Sequence, residues 1–94
     1  MRYKIQPGIV LSTVCGESLL VATMKARDKC PYVKQLNSTA AYYWSLLEAG
    51  MSLEEILTDA EETYNVSRER VRPGLVSFIN SLVMEGYLIP EAEP

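Results

Sequence analysis

Arg68, Arg70 and Arg72 stand at alternate positions, twelve carboxylates are spread along the chain, Cys15 and Cys30 are the only thiols, and histidine is absent. Such a set could serve acid–base catalysis, thiol attack, metal binding or phosphate recognition, and each makes a checkable demand. Acid–base work by Asp or Glu needs an apolar setting that raises a carboxyl pKa. Glu54, Glu55, Asp59, Glu61 and Glu62 instead crowd the start and outer face of one predicted helix. A thiol nucleophile needs a base, and Cys15 has no histidine to supply one. Zinc needs four ligands, which two isolated cysteines do not provide; the pair could close one disulfide or stay as small, reduced, half-buried residues. No Gly-rich phosphate loop or nucleophile elbow occurs, since Gly74 stands alone. No catalytic residue, metal site or cofactor is assigned.

The arginines open a predicted helix, where a helix-turn-helix protein would read a DNA groove. A net charge of −3, a pI near 4.9 and a neighbouring acidic helix oppose that use. Pairing with the acidic helix is the other use for these cations. A winged-helix DNA-binding regulator stands as the alternative reading, and an adaptor for another folded domain as a third.

A different chemistry is available to the backbone. Tyr32, Val33, Lys34, Gln35 and Leu36 follow Pro31 and alternate as a strand does, with Tyr32, Lys34 and Leu36 on one side and Val33 and Gln35 on the other. An edge strand carries free N–H and C=O groups that accept an added peptide strand. Arg72, Val76, Ile79 and Val83 form a second stripe on the last helix beside its main stripe of Val71, Leu75, Phe78 and Leu82. That second stripe either walls a groove or packs under the N-terminal strands; the pattern fits both.

The elements that must position these groups are legible from caps and breakers. Residues Met1 to Pro7 are mixed in character. Ile9–Val14 and Ser18–Thr23 are strand-length apolar runs, read as a hairpin with a loop of about three residues, Cys15-Gly16-Glu17. Met24 to Pro31 is a polar connection. Asn37 caps a first helix, with Leu36 placed to staple onto Ala41 and Gly50 as the stop. Ser52 and Glu55 form a capping box for a second helix, and Ser67 caps a third. Pro73 should kink that helix or delay its regular part, and Gly74 adds weakness. Gly86 ends the helix before Tyr87-Leu88-Ile89, an apolar extension.

These elements give one α+β domain over residues 1–94, winged-helix-like, with a three-stranded N-terminal antiparallel sheet in 1–36, three helices in 37–89 and a loose tail in 90–94. No signal-peptide pattern and no apolar run long enough to span a bilayer is present, so a cytoplasmic protein without membrane contact is expected.

Leu36-Asn37, Thr39, Trp44, Gly50, the Leu53–Ile56 pair, Tyr64, Val71, Phe78-Ile79, Leu82, Gly86 and Ile89 together resemble the PqqD-like family, the recognition elements of ribosomally made, post-translationally modified peptide (RiPP) pathways. The resemblance spans roughly Tyr32 to Ile89. It implies a non-catalytic module that captures the leader region of a precursor peptide as an added strand and presents it to a modifying enzyme, such as a radical SAM protein or a leader peptidase. By position, Tyr32, Val33, Lys34, Gln35 and Leu36 match the augmented strand, and Arg72, Val76 and Ile79 match the facing helix wall. Pro73-Gly74 departs from the family, where an uninterrupted helix is usual. Monomer and hairpin-exchanged dimer are both open.

Overall fold

The computed structural model describes residues 2–23, 26–30 and 33–91. In chain order these form β1 (Arg2–Ile5), β2 (Ile9–Val14), β3 (Glu17–Ala22), β4 (Val33–Leu36), α1 (Ser38–Glu48), α2 (Leu53–Tyr64), α3 (Arg68–Met84) and β5 (Leu88–Glu91). β2, β3 and β4 make a three-stranded antiparallel sheet in that order, and β1 pairs with β5 in a separate ribbon. The expected α+β plan, with a three-stranded antiparallel sheet and three helices, is the one observed.

Local chemistry explains the boundaries. The β2–β3 loop is two residues, not three: Cys15 and Gly16 both take positive φ, at 50° and 78°, as a tight hairpin turn requires. Asn37 accepts from the Ala40 N–H at 2.8 Å, and the Ser52–Glu55 box closes in both directions. Ser67 precedes α3 without a side-chain cap bond. Asn65, at φ 53°, makes the left-handed turn between α2 and α3.

Two strands escape sequence reading. Arg2–Ile5 is short and half charged, and Leu88–Glu91 contains a proline. Their pairing sets Tyr3 against Pro90 and Arg2 against Glu91, so the start of the expected loose tail is strand. Pro90 is tolerated because, among the described residues, β5 has a strand partner on one side only.

α3 runs unbroken from Arg68 through Pro73. The ring lies among exposed neighbours, so water can take the Glu69 carbonyl whose partner N–H is missing. Its regular part is not delayed, since the helix already begins at Arg68, ahead of the ring.

Trp44, Leu20, Ile56, Leu57, Leu75, Leu82 and Tyr87 are sealed in the core. Ile79 joins them at 1% exposure, while Phe78 is only half-buried. The α3 core stripe is therefore Val71, Leu75, Ile79 and Leu82. Cys30 is buried, with its thiol against the Ala26 carbonyl, and Cys15 is exposed; neither forms a disulfide. Among the described residues, no helix is long and apolar enough to cross a membrane, and no cluster of potential ligands could hold a metal ion.

Candidate functional site

β4 lies at the end of its sheet, so among the described residues it has a strand neighbour on one side only. Register divides its side chains. Lys34 pairs with buried Leu20 and shares the helix-facing side with Leu36, whereas Val33 and Gln35 turn to the outer side, where Val33 continues a row with Val21 and Val10. Leu36 is core, which pins the strand's end just before Asn37 caps α1. Tyr32 lies outside the described residues.

Across from β4, Lys34 Nζ reaches Glu85 at the end of α3, 3.1 Å from Oε1 and 2.8 Å from Oε2. That contact fixes which flank of α3 faces the strand. At about 100° per residue, Gly74, Phe78 and Ser81 lie within about 40° of Glu85, while Val76, nine residues back, is about 180° away. Arg72 and Val76 line an open depression of about 670 Å³ along α3, together with Pro73, Ser77, Asn80, Ser81 and Met84. The residues of the wall expected from sequence fall on different faces of α3. Ile79 is in the core and Val76 is turned from the Lys34 side. Phe78, Ser81, Gly74 and Glu85 lie on the Lys34 side, where Ser81 also borders the depression that holds Arg72 and Val76. The 3.6-residue period could have yielded this set, but only once one α3–β4 contact was known.

The small residues on this flank leave room. Between α1 and α3 lies a cleft of about 210 Å³ lined by Asn37, Thr39, Ala40, Tyr43, Gly74 and Phe78. Its floor is aromatic, with the Tyr43 and Phe78 rings 6.1 Å apart. Since Asn37 both follows β4 and lines this cleft, the strand edge leads into it.

The arginine cluster is largely committed elsewhere. Arg68 donates to Glu61 at 3.0 Å, to Glu54 at 2.7 Å and to Thr58 at 2.6 Å, and Arg72 reaches Glu54 at 3.4 Å. These bonds lash α3 to acidic α2 and leave the DNA-binding alternative unsupported. Nor do the titratable groups favour catalysis. Hydrogen bonds from Ser52 hold the Glu55 carboxyl below its ordinary value, the wrong direction for a general acid at neutral pH, and burial pushes the Cys30 thiol up.

What this arrangement offers is recognition: a strand edge without a strand partner among the described residues, an apolar cleft at its end, and a cation–anion pair beside it. Residues 32–88 match the family model of coenzyme PQQ synthesis protein D (PqqD). Among solved structures, "TbiB1 in Complex with the TbiA(beta) Leader Peptide" superposes with a TM-score of 0.78 at 27% identity, covering 96% of this chain and 99% of that one. No curated protein matches.

Proposed function

The chain belongs to the PqqD family, and on that premise we propose that it is a RiPP recognition element that captures the leader region of a ribosomally made precursor peptide. The leader adds as a strand to β4, and main-chain hydrogen bonds to Val33–Leu36 supply affinity that depends little on sequence. Side chains on its inward face meet Lys34 and the Phe78–Ser81 flank of α3, which supplies selectivity. The domain itself is non-catalytic and hands the core of the precursor to a separate modifying enzyme, of the radical SAM or leader-peptidase kind. The observation that carries this reading is the open edge of β4 beside a flank of small residues on α3. Its similarity to TbiB1, whose complex contains a leader peptide, supports the same reading.

The test uses synthetic peptides copied from the N-terminal parts of short precursors encoded beside this gene, titrated by fluorescence anisotropy. Binding should slow amide hydrogen exchange in Val33–Leu36. Saturating binding that left those amides exchanging at their free rate would remove β-augmentation from the account.

A further inference from the structure

The cleft at the end of β4 does not close at Gly74. A second cleft, of about 470 Å³, starts from the same Thr39, Tyr43 and Gly74 and runs on to Tyr64, Val66 and Arg70 at the α2–α3 turn. Gly74 forms the saddle between them. A Cβ built on Gly74 would meet nothing within 4 Å, and the residue lies within helical α3, so neither crowding nor turn geometry calls for glycine there. Glycine inside a helix is unfavourable relative to alanine, yet here it keeps two clefts in communication.

The lining of the second cleft indicates its occupant. Tyr64 and Val66 are 46% and 36% exposed, although both are large and apolar. Arg70 stands at the rim, and among the described residues it has no ion-pair partner, whereas Arg68 and Arg72 are held by Glu54 and Glu61. A bare aromatic–aliphatic hollow with one uncommitted cation at its mouth suits an apolar side chain with a carboxylate nearby.

We infer that the peptide held at β4 continues past Leu36, crosses the Gly74 saddle, and seats an aromatic or branched aliphatic side chain among Tyr43, Tyr64 and Val66, with an acidic residue against Arg70. This rests on the β4 reading above and extends it from a strand register to a second anchor.

The experiment pans a phage-displayed library of random peptides on the wild-type protein and resynthesises a selected binder. It is made in three forms: intact, with alternate amides N-methylated, and cut back to the strand-forming segment. Val66→Asp spoils the second cleft at an exposed turn residue outside the β4 cleft and the core, and Val66→Ala is the milder control. Val66→Asp should weaken the intact peptide roughly ten- to a hundredfold, the worth of one buried apolar side chain, and leave the truncated peptide unchanged. Arg70→Glu should favour peptides that lack the acid. Equal affinity of wild type and Val66→Asp for the intact peptide, with N-methylation still abolishing binding, would overturn the second anchor and spare the strand. Indifference to N-methylation would overturn the strand reading, and the anchor with it.

Discussion

Lys34 on β4 and Glu85 at the end of α3 form an ion pair across 51 positions of sequence, with Nζ 2.8 Å from Oε2. The pair spans the mouth of the proposed leader site, and both side chains keep partial access to water, at 25% and 37% exposure.

Such a pair adds only about 0.2–1 kcal/mol to stability, so its two partners can be varied without unfolding the domain. Glu85→Gln frees the Lys34 ammonium and should tighten binding of a peptide carrying an acidic residue beside β4, while Lys34→Gln should loosen it. Calorimetric titration at low and moderate salt measures both. Equal weakening by the two variants would mean that the pair acts only as a clasp between strand and helix.

Gly74 and Gly86 should respond oppositely to alanine. Gly86 sits at φ 91°, and a Cβ there would come within 2.2 Å of the Lys29 carbonyl oxygen. Gly86→Ala should cost roughly 2–4 kcal/mol from left-handed strain plus a backbone clash. Gly74→Ala should stabilise by about 0.5–1 kcal/mol. Urea unfolding reports both, and a destabilised Gly74→Ala would mean that helix propensity does not govern this position.

Ile79 and Val76 separate core from surface. Ile79→Ala removes a buried side chain and should cost about 2–5 kcal/mol. Val76→Ser lies half-buried on the far side of α3 from Glu85 and should shift peptide affinity by no more than about 0.5 kcal/mol. A large affinity loss in Val76→Ser would return the binding wall to that face.

The capping box should make stability sensitive to acid. The Glu55 carboxyl is held below its ordinary 4.5, first by the Ser52 backbone N–H. A lowered folded value means that the contribution is whole above 4.5 and fades as pH falls through the depressed value. Glu55→Gln removes the titrating group while its amide oxygen can still accept from the Ser52 N–H, and should flatten the acid limb of a plot of urea midpoint against pH. An unchanged acid limb would show that other carboxylates dominate it.

At the alkaline end the sign reverses. Burial, and then the Asp59 carboxylate that accepts its O–H, push the Tyr42 phenol from 10 up to about 12. A raised folded value gives stability that is full below 10 and lost as pH rises through about 12. Tyr42→Phe should remove that step from the urea midpoint series and loosen α1 from α2 by about 1 kcal/mol.

Much of the fold was legible because caps and turns are local devices. Asn37, the Ser52–Glu55 box and Gly86 mark helix ends through bonds or dihedrals that span a few residues, so the residues alone located the three helices. The β2–β3 hairpin was read for the same reason, one residue out in its turn. β1 and β5 escaped because each is four residues long and gains its partner from the opposite end of the chain.

The site divides along the same line. Alternation in Val33–Leu36 and the order of landmarks from Leu36 to Ile89 identified the strand and the family from sequence. Helical periodicity also grouped the α3 side chains into faces, but it could not say which face meets which neighbour. That was decided by packing: α2 draws Arg68 and Arg72 to one flank, Ile79 fills the core, and Lys34 meets Glu85 on the other. A period is a property of one segment, whereas the angle at which a helix docks is set by every side chain it buries.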